Sequence, residues 1–351
     1  MTAPVAAPDL RERLARFAAS GTAPVALLLV VVLVAIVVIN PSFAQPRPML
    51  ALLQKAAPLV ILAVGQYLVI VSGEFDLSVG SLVGAQVVIA ARFIDGDEAM
   101  TLPILGVMLA FGIVVGLVNG LVTTILKVPS FITTLGMLLV LAGAIRLWTG
   151  GAPTGALSDA FRTLGRGGIE NVPGIGRIPW AVFVAAFVTA AIVALVRRPY
   201  GRVLIAVGDN DRAAAFAGVR VARTRTIAFV LSSVLATIAA VLIGGFAGVT
   251  AQVGQGLEFT AITAVVLGGV VLGGGRGTVV AAVLGALALE SLFTLFNQLG
   301  LPSTLRPTAQ GIILIAAVAY ASRTVSRPRT TRHDPPPAQP VPATASGGND
   351  A

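Results

Sequence analysis

Ten apolar stretches, each close to the length that crosses a lipid bilayer, recur along this chain of 351 residues and leave no water-soluble fold open to it. They lie near 23 to 40, 49 to 72, 79 to 93, 102 to 126, 131 to 149, 178 to 196, 226 to 248, 258 to 273, 278 to 298 and 306 to 322. In hydrocarbon every backbone N–H and C=O must be satisfied internally, so runs of this kind predict an all-α, polytopic bundle of about ten transmembrane helices. The composition agrees, with 56% hydrophobic and only 11% charged residues. The first run follows Arg11, Arg13 and Arg16, as a secretory signal would, but no small-residue cleavage site follows it. It reads as a retained anchor.

A formal charge of +9 would suit nucleic acid, yet the arginines sit in short segments between apolar runs, where membrane orientation accounts for them. Nucleic acid is therefore not an expected partner. With the N-terminus inside and ten crossings, inner segments carry sixteen Arg and Lys and outer segments and span ends carry eight. Trp148 and Trp180 then both fall at the outer interface. The domain reading is a cytosolic segment 1–22, a membrane domain 23–322, and a Pro-rich, disordered cytosolic tail 323–351. The chain has no cysteine, and its one histidine, His333, lies in that tail. Disulfides, thiolate metal sites and histidine chemistry at membrane depth are excluded.

The longest inner segment, 197–225, carries seven arginines. Pro199 and Gly201 break the preceding span, Asp209 or Asn210 is placed to cap a new helix, DRAAAFA favours a short helix, and Gly218 stops it. A helix that short is unstable alone, so it must pack on the span ends, on a partner, or on both. The residues leave open whether it docks a cytosolic protein or merely joins two spans. On the other side, 150–177 is the longest outer segment, with Ser158 positioned to cap DAFRTLG.

Two spans are short, 79 to 93 and 258 to 273, and glycine-rich turns border them. Such segments point to a translocation path, or to close helix packing; their five-span separation suggests an inverted repeat of two five-helix halves. Asp76 precedes Ser78, Gly80 and Ser81 in a pattern that caps the third span. Gln66, Gln86, Asn119, Thr133 and Thr134 lie at membrane depth and offer weak hydrogen bonds to a hydroxylated solute. Glu290, in ALALESLFTL, is costly in mid-span unless paired, with Arg146 a candidate partner, or protonated. Lys55 and Lys127, the only lysines, sit in QKA and LKV, so no Walker A loop exists here.

Four ordered motifs carry a family resemblance. PYGRVLIAVGDNDRAAAFAGV (199–219) resembles the coupling segment of the membrane subunits of ATP-binding-cassette importers for ribose and related monosaccharides. GEFDLSVGS (73–81), VPSFITTLGMLLVLAGAIRLWTGGAP (128–153) and AVVLGGVVLGGGRGTVVAAVLGAL (264–287) are similar to further blocks of that family, and the matches span roughly 50 to 320. The resemblance implies a non-enzymatic permease subunit of a bacterial inner membrane, with both termini cytoplasmic, paired with a second copy or a paralogue. A cytosolic ATPase would bind ATP and Mg, no cofactor would sit in this chain, and an extracytoplasmic sugar-binding protein would deliver the solute to the 150–177 face. It also implies coupling residues Tyr200, Gly201, Arg202, Gly208, Asn210, Ala213, Ala214 and Gly218, with the small residues at 213 to 215 letting the helix approach its partner. The candidate path residues are Gln66, Asp76, Ser78, Gly80, Ser81, Asn119, Thr133, Gly268, Gly274, Gly275 and Glu290. Glu290 departs from the family pattern. The rival readings are a permease for nucleosides, branched amino acids or another small polar solute, a proton-coupled carrier using Glu290, and a membrane enzyme, for which no catalytic cluster exists.

Overall fold

Proline sets where several helices begin, because its fixed φ suits the first turn and its missing N–H costs nothing there. Pro24 opens α1 (Ala23–Ile39) and Pro46 opens α2 (Pro46–Val71). A computed structural model describes residues 22–250 and 252–325. The expectations for residues 1–21 and 326 onward, including those for Arg11, Arg13, Arg16 and His333, lie outside the described residues. After α2 come α3 (Val79–Ile94), α4 (Thr101–Thr124), α5 (Ser130–Thr149) and the short α6 (Asp159–Arg166). Strands β1 (Gly168–Val172) and β2 (Gly176–Pro179) lead into α7 (Trp180–Arg197), α8 (Pro199–Asp209) and α9 (Asp211–Phe216). The chain continues through α10 (Val221–Ala247), α11 (Leu257–Leu267), α12 (Val279–Gln298) and α13 (Leu305–Val325).

A helix stands at each of the ten apolar stretches. Six of them, α2, α4 with the turn before it, α5, α7, α10 and α12, are long and apolar enough to cross a membrane. Helix α11 differs from the expected span 258 to 273. It has 11 residues, about 16 Å against a hydrocarbon core of about 30 Å, and so does not cross by itself. Its chain turns at Gly268 and stays non-helical until α12. The expectation of a purely helical chain also needs correction. Residues 168–179 form a two-stranded antiparallel hairpin, pairing Gly168 with Pro179 and Ile169 with Ile178.

Helices α2 and α10 form the buried axis. Helices α3, α4, α11 and α12 pack around them, α1 covers α2 and α12 through Val32, Ile36, Leu52 and Leu292, and α7 leans on α2. Apolar side chains on α4, α5 and α7, such as Leu102, Phe131, Leu139 and Phe187, point outward, where only hydrocarbon suits them.

What lets α4 lie so close to α10 is a stripe of glycines four residues apart. A Cβ built at Gly112 would strike Thr237 Oγ1, at Gly116 it would lie 2.7 Å from Val230 Cα, and at Gly120 2.8 Å from Thr226 Cα. Spacing of small residues in this way brings backbones together where apolar burial drives nothing, because lipid is as apolar as the helix. Gly106, by contrast, faces open space. Gly116→Ala is therefore expected to destabilise the purified protein by about 1–3 kcal/mol while Gly106→Ala leaves it unchanged. Thermal unfolding in detergent compares the two.

Candidate coupling surface and translocation pathway

At one end of the bundle the chain leaves α7 through an extended Arg198 and restarts at once on Pro199. Gly201, expected as a breaker and as a coupling residue, lies inside α8's first turn, buried against the Val196 backbone, where a Cβ would collide. The whole of 199–209 is helical, a helix the sequence did not announce. Asn210 rather than Asp209 caps α9, its Oδ1 accepting from Ala213 N at 2.9 Å, and Gly218 closes the helix at φ +82.

This end is locked by backbone contact. Gly208 lies where a Cβ would strike Val71 O and approach Gly275 N to 2.6 Å, and Gly275 N donates to Val71 O at 2.9 Å. Gly274, at φ +86, fits between Gly208 and Gly73. Glycines of three separate sequence motifs thus meet at α8. Arg225 adds charge to the joint: its Nε is 3.1 Å from Glu74 Oε1 and donates to Ser72 O at 3.2 Å, and its Nη2 is 3.5 Å from Asp211 Oδ2. Tyr200 donates its hydroxyl to Thr224 O at 3.3 Å, and burial pushes its pKa up, so the phenol stays neutral.

On the surface of that joint Arg202 and Ala213 are exposed, while Ala214 turns inward. Ala214, expected among the coupling residues, is thus buried within this chain. Phe216, which sequence reasoning passed over, stands 93% exposed at the end of α9. No periodic pattern could have flagged it, because six residues are too few to define a face.

Asp76 does not cap α3 as expected. Ser78 is the N-cap residue and makes no side-chain cap bond. Asp76 Oδ1 instead accepts from Ser78 N at 3.0 Å and Ser78 Oγ at 2.6 Å, and Oδ2 accepts from Ser232 Oγ at 3.1 Å. Asn119 Nδ2 donates to Ser78 Oγ at 2.8 Å. The buried carboxylate ties the α2–α3 turn to α4 and α10. Gln86 likewise bridges helices, its Nε2 donating to Thr237 Oγ1 at 2.8 Å.

The two short helices meet. Gly80 on α3 faces Glu258 and Gly254 O, and Gly84 lies where a Cβ would approach Val253 O to 2.5 Å. Beside this contact, toward the hairpin end, is a cavity of about 510 Å³ lined by Ser81, Gly84, Arg146, Gln252 and Gln255 among others. Of the expected path residues only Ser81 lines it. Gly80 sits just behind; Gly268 packs on Ala281 O; Gly274 and Gly275 belong to the joint beside α8. Gln66 is sealed in α2 with neither amide atom partnered, and Thr133 Oγ1 also has no partner among the described residues. Gln252 and Gln255 were missed because TAQVGQG reads as an ordinary polar turn.

Arg146 lines this cavity and is not the partner of Glu290. Glu290 Oε1 lies 2.7 Å from Lys55 Nζ, across α2 and α12, and that pair removes the unpaired charge that the sequence seemed to leave in mid-span.

Residues 49–318 match the family described as "Branched-chain amino acid transport system / permease component". The chain belongs to that family. It is 34% identical over 299 residues to the autoinducer 2 import system permease protein LsrC of Enterobacter sp. (strain 638), covering 85% of each chain. It is 33% identical over 294 residues to the ribose import permease protein RbsC of Bacillus subtilis (strain 168), covering 83% of this chain and 89% of that one. With RbsC of Escherichia coli (strain K12) the identity is 34% over 298 residues, 83% and 91% of the two chains. No solved structure matches. The protein is thus a multi-pass membrane permease related to the ribose and autoinducer 2 import permeases, and not an enzyme.

In this permease Lys55→Met or Glu290→Met alone is expected to lower thermal stability, since each leaves the partner's charge unmatched, and the larger loss, about 3 kcal/mol, falls on Lys55→Met because Glu290 is the more buried of the two. The double variant Lys55→Met with Glu290→Met should recover most of the loss. A double-mutant cycle on melting temperatures reads the coupling.

Proposed function

We propose that this chain is the membrane-spanning subunit of an ATP-driven importer for a monosaccharide, with an ATPase docked on α8 and α9. The observation that carries the reading is Phe216, 93% exposed on a short helix whose position Arg225 and the interlocked glycine turns hold fixed. An aromatic knob on a rigid base is what a partner's groove takes hold of, and such anchors supply most of an interface's affinity. Closure of the ATPase would push α9, and through Gly208, Gly274 and Gly275 the push reaches α2, α3 and the turn before α12 as rigid bodies. ATP and Mg would be bound by that partner. An extracytoplasmic binding protein would face the hairpin end, and a second copy or a paralogue would complete the pathway.

Under this reading α8 and α9 face the cytosol, both termini lie there too, and the ten apolar helices form the membrane domain of a bacterial inner membrane, with α3 and α11 as its broken, path-lining elements. The domain limits 1–22, 23–322 and 323–351 belong to the same proposal, as does an inverted repeat of two halves. A sugar suits the cavity beside Ser81, whose amide, hydroxyl and guanidinium groups match hydroxyls without binding them tightly. The second reading is another small polar solute, because the relative named for autoinducer 2 is as similar as those named for ribose. The Lys55–Glu290 pair speaks against a proton carrier using Glu290, since its charge is already matched.

Phe216→Ala is expected to weaken ATPase binding by about 2 kcal/mol or more, roughly 30-fold, and to reduce ATP-dependent uptake while membrane insertion is unchanged. Co-purification from membranes together with uptake into proteoliposomes measures both; full retention of the ATPase would remove α9 as its docking element.

A further inference from the structure

Beside the cavity at the hairpin end, the backbones of α3 and of the turn before α11 come into direct contact. Gly80 and Gly84 of α3 press against residues 253 and 254 so closely that no Cβ fits at Gly80, Gly84 or Gly254. Directly behind that contact lies Glu258, in the first turn of α11, with 6% of its surface exposed. A Cβ at Gly80 would fall on its carboxylate, and Oε2 has no hydrogen-bond partner among the described residues.

Backbone N–H groups of Gly256 and Glu258 bind the carboxylate at the start of α11, and they leave Oε2 without a donor. A buried carboxylate oxygen without a donor is costly, and an apolar residue of the same size would fill the space at no such cost. The start of α3, at which it points, has no side-chain cap. The contact in front of it sets Gly80 and Gly84 against Val253 and Gly254, so that backbone meets backbone there. An acceptor held in reserve behind a parting seal has an evident use, which is to receive hydroxyl donors that arrive from the cavity.

We propose that Glu258 is the hydrogen-bond acceptor a polyhydroxylated solute meets next after the cavity, uncovered when α3 separates from residues 253–254. The proposal rests on the transport role given above and adds the residue that handles the solute inside the seal. Ser81 and Gln255 face the solute before the seal parts; Glu258 takes its hydroxyl donors afterwards. One acceptor with no ion-pair partner among the described residues gives a weak hold, as a station on a path requires.

The chain has no cysteine, so a single introduced thiol reports its own surroundings. Gln255→Cys and Glu258→Cys are assembled with the ATPase in proteoliposomes and treated with a charged, membrane-impermeant methanethiosulfonate. Gln255→Cys is expected to react at rest and during ATP turnover alike. Glu258→Cys is expected to react at least tenfold faster during turnover than at rest. Ile262→Cys, one helical turn along the same side of α11, carries the same expectation if Glu258→Cys does not assemble. A position 258 that stays unreactive in both states while 255 reacts overturns the proposal, and so does equal reactivity at rest. Failure of the coupling reading looks different: ATP then alters no position. In that case labelling at 258 under a D-ribose gradient decides, reaction supporting the acceptor role and silence ending it.

Discussion

Backbone brought against backbone through glycine is the constraint on which this molecule depends. In a membrane there is little to gain by hiding apolar side chains from lipid, so helices associate through close van der Waals approach and a few polar ties. Gly112, Gly116 and Gly120 supply that approach between α4 and α10, and Gly65 does the same between α2 and α10, with a Cβ 3.3 Å from Ser232 Cα. The ties are few and well placed. Asp76 joins three elements through serines and Asn119, and Lys55 with Glu290 joins α2 to α12.

The same device, used where helices meet non-helical turns, builds the proposed coupling joint and the contact beside the cavity. At the α8–α9 end, glycines from the 71–75 turn, from α8 and from the 268–278 segment interlock, and Arg225 binds the joint to α9. Near the cavity, glycines of α3 and of the turn before α11 let the two backbones close on each other. A push on α9 has a direct route, because the 71–75 turn that Gly208 touches leads into α3, whose glycines make that contact.

Much of this was legible in the sequence, and the reasons for the failures are physical. Apolar length located every long helix to within a few residues, because hydrocarbon imposes that length on any chain that crosses it. Asn210 and Gly218 announced the ends of α9, since cap chemistry is local. What depends on which elements meet was not readable. Glu290 had Arg146 as a candidate partner where it meets Lys55, Asp76 was read as a cap or a path residue where it joins three elements, and α11 was read as a span although it ends at Leu267. The cavity lining was the hardest to foresee. Gln252 and Gln255 acquire their position only when α3 and α11 come together.

The central claim is that this permease moves its solute only when a nucleotide-consuming partner works on α9. The direct measurement is uptake of labelled D-ribose and of autoinducer 2 into vesicles holding the permease alone, or the permease with its ATPase and binding protein. The account predicts transport of one of them in the complete assembly with ATP and none in the other vesicles. Solute entry into vesicles holding this chain alone, down a gradient and without ATP, would contradict it.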